Sequence, residues 1–268
     1  MREVGRPLPF APAARAVFDL SLDGMVFSRR SLLMALLVAA PVAFAVLYRV
    51  LAVTHGTPPL GAADLYALMV AIYWVRNVLP LAALFYATSL IADEVEGRTL
   101  TYLLTRPLTR ASIFAGKFAA YLATTLTLAL PAAVVTFFLL MTAPGAPALA
   151  AAATDLLRDV GVMLLALVAY GALFGLMGVL LKRPVIPGLL FLYGWELLAN
   201  LPGYLPRLTL TAWLRSLIRH RPAEQGLAGL FQQVLPGDQA LAVLLAVSLL
   251  LLGASAWIFS RREYVLEQ

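Results

Sequence analysis

Long apolar runs dominate the chain, and short polar stretches punctuate them. The runs do not alternate every second residue, which argues against membrane strands. Their length suits helices crossing a hydrocarbon core of about 30 Å. Six spans are expected, at about Ser31 to Val53, Leu65 to Ala92, Phe118 to Met141, Asp155 to Leu181, Val185 to Leu201 and Gln239 to Ser260. Pro41 is expected to kink the first span. The second is longer than one crossing needs, and Arg76, Asn77 and Pro80 interrupt it. The fifth is short. Lys182-Arg183-Pro184 makes a tight turn before it, and Arg261-Arg262 stops the sixth.

Three stretches outside the spans are amphipathic, the hinge between spans two and three among them. Met1 to Pro12 is a proline-bearing tail with little periodicity, but Ala13 to Arg30 places Phe18, Leu22 and Met25 on one face and Arg15, Asp19 and Asp23 on another. That pattern predicts a helix lying in the inner interface. Residues 1–30 are therefore read as a tail and interfacial helix, and 31–268 as one six-helix transmembrane domain. In the connection from Pro202 to Asp238, Leu210, Trp213, Leu214 and Leu217 follow helical spacing. One or two short helices are expected there against the outer surface, with Tyr204 and Trp213 suited to the interface. The fold class is thus all-α membrane protein.

Composition agrees with the pattern. Of 268 residues, 62% are hydrophobic and only 13% charged, where a soluble domain carries about a quarter. The net charge of +6 would suit nucleic acid, but the bases sit at the ends of apolar spans, where topology explains them better. No nucleic-acid partner is expected. With both termini placed in the cytoplasm, thirteen bases lie inside: Arg2, Arg6, Arg15, Arg29, Arg30, Arg98, Arg106, Arg110, Lys117, Lys182, Arg183, Arg261 and Arg262. Six lie outside: Arg49, Arg158, Arg207, Arg215, Arg219 and Arg221. The excess follows the positive-inside rule. Lys117 and Lys182 are the only lysines, an arginine bias that hints at a bacterial source and hence an inner membrane.

Ionisable groups inside spans are costly and are functional candidates. Two stand out, Arg76 and Glu196. At about 1.5 Å per residue their depths agree, roughly 25 and 20 Å above the inner boundary. They could pair, or each could snorkel outward separately. Tyr193, Glu196 and Asn200 fall on one helical face and, with Arg76 and Asn77, form a candidate translocation path. They could line a polar cavity or satisfy one another at the helix end. Gly171, Gly175 and Gly178 let helix backbones approach closely, within one subunit or in a dimer.

The hinge between spans two and three, IADEVEGRTLTYLLTRPLTRASIFAGK, is the most structured polar stretch. Leu100, Leu103 and Leu104 recur at helical spacing, with Arg98, Thr101 and Thr105 on another face. Pro107 ends that short helix, and Thr109 can cap the next. Asp93, Glu94 and Glu96 precede it, where the helix dipole favours acids. The order Glu94, Glu96, Gly97, Thr99, Leu100, Leu103, Leu104, Pro107, Arg110, Gly116, Lys117 resembles the cytoplasmic coupling segment of type-2 ATP-binding-cassette (ABC) transporter permeases. Arg98 departs from it, standing between a glycine and a threonine that the family usually places side by side.

The resemblance implies a permease working as two copies, with a separate cytoplasmic ABC ATPase, also in two copies, docked at a coupling helix over 97–106. Asp93, Glu94, Glu96, Arg98, Arg106 and Arg110 would frame that contact. ATP and Mg would be bound by the partner, no cofactor by this chain, and an outer-face accessory protein could join. Export of an unknown substrate is the expected work; a membrane scaffold doing mechanical or assembly work is the alternative. Nothing in the sequence suggests catalysis. There is no G-x-x-x-x-G-K-[ST] phosphate loop, no G-x-S-x-G and no H-E-x-x-H, cysteine is absent, and His55 and His220 offer no metal-ligand spacing.

Overall fold

The computed structural model describes residues 9–26, 28–56, 60–96, 108–146, 149–201, 203–218 and 235–261, with 29, 93–96, 150 and 151 as backbone only. Regular structure among these residues is entirely helical. Helix α1 (Phe10–Val26) leads to α2 (Arg29–Thr54). The next crossing joins α3 (Ala62–Leu68), a π-helical stretch (Met69–Val78), α4 (Leu79–Ala87) and α5 (Ser89–Glu96). Then come α6 (Arg110–Met141), α7 (Leu149–Leu180), α8 (Val185–Tyr193), α9 (Leu210–Leu217) and α10 (Gly237–Arg261). Short 3-10 turns cover Trp195–Asn200 and Leu205–Leu208.

Five stretches of the described residues are long and apolar enough to cross a bilayer: Arg30–Thr54, Ala62–Ala92, Arg110–Met141, Ala152–Leu180 and Gly237–Arg261. They correspond to the first, second, third, fourth and sixth expected spans. The fifth differs. Val185–Asn200 is a shorter apolar helix, below the roughly 20 residues a straight crossing takes. It also changes from α to 3-10 winding at Gly194. The second crossing and Ala152–Leu180 are the most enclosed, and Gly237–Arg261 is the most open to its surroundings. Trp74, Tyr86, Tyr121, Phe137, Tyr170 and Phe174 fill the core between them. Helices α2 and α6 run through Pro41 and Pro131 without interruption.

Glycine fixes two of the closest crossings. A Cβ at Gly178 in α7 would collide with the Thr88 carbonyl oxygen, at the turn between α4 and α5. A Cβ at Gly116 in α6 would collide with the Ala14 carbonyl oxygen and come within 2.9 Å of Val17 Cβ. The expected interfacial helix is therefore clamped to protein. Ala13 and Val17 of α1 are buried against α6, while Leu20 and Val26 remain exposed. A serine–tyrosine network ties the following corner: Ser28 caps α2 by accepting from Ser31 N–H at 3.2 Å, and the Ser31 and Tyr86 hydroxyls lie 2.6 Å apart. At the far end Arg49 donates to Thr142 Oγ1 at 2.5 Å, joining α2 to the last turn of α6.

These crossings make a testable contrast. Gly116→Leu and Gly178→Ala should each destabilise the detergent-solubilised protein by about 1–3 kcal/mol, because backbone atoms cannot yield as side chains do. Gly161→Ala and Gly253→Ala, where a Cβ meets nothing within 4 Å, should be neutral or stabilising. Thermal unfolding of the four variants measures this; equal shifts would overturn the crossing geometry.

Candidate functional site

The hinge is held from both sides. Helix α5 carries the second crossing directly to Glu96, so the backbones of Asp93, Glu94 and Glu96 extend it. Gly97, Arg98, Thr99, Leu100, Leu103, Leu104, Arg106 and Pro107 lie outside the described residues. Beyond them Thr109 caps α6: its backbone is extended (φ −77°, ψ 141°) and its side chain accepts from Ser112 N–H at 3.2 Å. Arg110 then donates to the Phe259 carbonyl of α10 at 3.3 Å. A cation here meets the negative end of the α10 dipole. Seven residues on, Lys117 is buried beside the Gly116 crossing. The chain entering the third span is thus gripped by α1 on one side and α10 on the other.

The second constellation lies deep between the crossings. Glu196 is only 3% exposed. Its carboxylate accepts from the backbone N–H groups of Leu210 at 3.1 Å and Thr211 at 3.0 Å. These are orphan donors in the first turn of α9, which Thr209 also caps by accepting from Ala212 N–H at 3.3 Å. At the other end of α9, Arg158 donates to the Leu217 carbonyl at 2.9 Å. An eight-residue helix is marginal alone; an acid at its start and a base at its end complement its dipole. The Tyr170 hydroxyl lies 2.8 Å from Thr211 Oγ1 and also engages Glu196. Counting twelve residues back from Lys182, Tyr170 sits roughly 18 Å from the Lys182–Pro184 turn. The first turn of α9 therefore lies about a third of the way along α7 from its Leu180 end, and its last carbonyl is reached from Arg158, nearer the other end.

Consequently α9 does not lie flat against the outer surface. It packs against α7 and α10 with Thr211, Trp213, Leu214 and Ile218 buried. Trp213 points inward, donating to the Arg207 carbonyl at 2.8 Å, whereas Tyr204 is exposed with the Arg207 guanidinium over its ring. The chain climbs along α8, leaves the helical path after Tyr193, and resumes the climb in α9.

This break separates residues that straight helical spacing would unite. Tyr193 is 54% exposed, Glu196 is buried, and Asn200 is exposed and accepts from Arg215 at 3.0 Å. They share no face: the winding changes after Tyr193, and at about three residues per turn Glu196 and Asn200 fall on different sides. Arg76 and Glu196 come into the same neighbourhood, both acting on Tyr170, but no ion pair joins them. Arg76 Nη1 is buried without a hydrogen-bond partner. Asn77 stabilises the π winding instead, donating to the Ile72 carbonyl five residues back at 2.7 Å. The Leu79 N–H also reaches five back, to Trp74, just before Pro80, which has no N–H to give. Gly171 lies under the Tyr121 ring, Gly175 faces Phe114, and Gly178 meets Thr88, all within this chain.

Tyr170 and Thr211 escaped the sequence reading because a tyrosine in an apolar span and a threonine in a loop carry no signal of their own. Asp159 escaped it too. It is buried in α7 and faces Tyr66 of α3. Its i+4 spacing from Asp155, continuing into the apolar run, was the available cue.

The Glu196 cap yields a stability test. Glu196→Ala should cost about 1.5–3 kcal/mol, the range for hydrogen bonds to a charged group. Glu196→Gln keeps one acceptor oxygen and should cost less. Thermal unfolding gives the order; an Ala variant as stable as wild type would remove the carboxylate from its capping role.

A search of curated proteins found no significant match. The family model described as ABC-2 family transporter protein matches residues 55–264, from the end of α2 to just past α10. That stretch covers the hinge, the broken ascent and every crossing but the first, and the chain belongs to the ABC-2 family of transporter proteins, as a membrane-embedded permease.

Proposed function

We propose that this chain is the permease subunit through which a separate, cytoplasmic ABC ATPase drives export of a substrate, with the segment 97–106 as the coupling helix. One observation carries the reading. Helical backbone runs directly into the hinge region on both sides, through α5 to Glu96 and from Thr109 into the 32-residue α6. A load applied at Glu96 or at Thr109 is delivered directly to a crossing. Helix α1 clamps α6 at Gly116 and Arg110 holds α10, so the movement would be shared by three helices.

In this reading Asp93, Glu94 and Glu96 meet basic groups of the ATPase, and Arg98 and Arg106 meet acidic ones. ATP and Mg belong to the ATPase. Two permeases and two ATPases form the working unit, in a bacterial inner membrane with both permease termini in the cytoplasm. Arg76 lies along the path.

Co-expression with the cognate ATPase tests the docking. The wild-type permease should retain the ATPase through affinity purification, and Glu94→Arg with Glu96→Arg should lose at least tenfold of it. Equal capture by both would sink the docking assignment. ATP-dependent movement of solute in sealed vesicles then separates a transporter from a scaffold of the same fold.

A further inference from the structure

A groove of about 850 Å³ opens between the inner half of α2, the second crossing and the start of α8. Its walls are apolar, with Leu33, Leu37, Phe85 and Ile186 among them. Its rim carries three cations, Arg30, Lys182 and Arg183. Arg30 opens the first crossing, and Lys182 and Arg183 form the turn that closes the fourth, so the chain brings all three to one level. That level is the cytoplasmic end of the hydrocarbon, by the excess of bases on that side. Among the described residues no carboxylate lines the groove. Lys182 and Arg183 are exposed.

We propose that this groove holds an anionic phospholipid of the cytoplasmic leaflet, its phosphate on Lys182 and Arg183 and its acyl chains along the α2 and α4 walls. Each part of the groove answers one part of that molecule. Basic pockets between membrane helices on the cytoplasmic side suit acidic headgroups, and each base near the surface is worth about a fivefold preference. A small soluble anion would satisfy the rim but leave the apolar length unfilled. A second copy docked here by two-fold symmetry would set the basic rim against itself. The assignment depends on the membrane placement of the Lys182–Pro184 turn and is independent of where an ATPase docks.

Native mass spectrometry of the full-length protein, titrated with phosphatidylglycerol or phosphatidylcholine, tests it. Wild type should bind one phosphatidylglycerol at least tenfold more tightly than phosphatidylcholine. Lys182→Gln with Arg183→Gln should bring the preference below about threefold while phosphatidylcholine binding stays the same. Arg261→Gln, a basic change at the end of α10, should leave the preference intact. Equal binding of the two lipids by wild type, an unchanged preference in the double variant, or an equal loss from Arg261→Gln would each overturn the site. A diazirine-bearing phosphatidylglycerol applied to wild type needs no variant to fold. It should label peptides from 30–40 and 182–190, and labelling confined elsewhere would overturn the proposal.

Discussion

Inside hydrocarbon a backbone N–H without a partner costs several kcal/mol, so a chain can leave the helical path only where something else accepts its hydrogen bonds. The fifth ascent leaves that path at Gly194 and starts a new helix at Leu210, beside Tyr170 of α7. The Glu196 carboxylate meets the requirement, taking two of the N–H groups that open α9. Much follows from that one group. With its start fixed, α9 buries Trp213 and Leu214 against α7 and α10. Helix α10, otherwise the most exposed crossing, thereby gains a protein neighbour. Its C-terminal end is held by Arg110 at Phe259. The helix that follows the break and the residue that follows the hinge thus both bear on α10.

At the end of the bundle that carries the hinge, close backbone approach adds to the polar links. Gly116 and Gly178 remove side chains where α1 crosses α6 and where α7 crosses the α4–α5 turn. In lipid there is no hydrophobic drive between helices, so van der Waals contact at such crossings must hold them. Gly116 belongs to the Gly-Lys pair that ends the hinge motif. The motif is therefore partly a packing signal: its glycine seats α1, and its lysine is buried beside that contact.

The spans were legible because length and apolarity suffice to call a membrane helix. The Thr109 cap was legible because a hydroxyl after a proline, at the start of a new apolar run, has few other uses. The fifth span was not. Nothing in VIPGLLFLYGWELLAN distinguishes α from 3-10 winding, and that change decides whether Tyr193, Glu196 and Asn200 share a face. Trp213 was misplaced for a related reason. An amphipathic eight-residue helix presents the same pattern whether its apolar side meets lipid or protein; its burial depends on the partner surface of α7 and α10. Arg76, Asn77 and Pro80 correctly marked an interruption, but the chain widens into a π-helix there instead of breaking. Periodicity over ten residues resolves that difference poorly.

The uses to which the deep acids are put bear on the energy source. A carrier driven by protons or cations needs a carboxylate that can exchange its ion during the cycle. Glu196 is committed to two backbone N–H groups, and releasing it would strip the start of α9 inside the membrane. Asp159 is enclosed against Tyr66 in the N-terminal half of α7. Among the described residues, what remains at depth is a base. Arg76 keeps Nη1 buried without a hydrogen-bond partner, in a π-helical stretch of the kind that often marks functional sites. A fixed guanidinium can attract an anionic group, but it cannot load and unload a proton, because arginine stays charged. The deep polar groups therefore suit a path whose work is supplied from outside the membrane, at the face where the hinge lies.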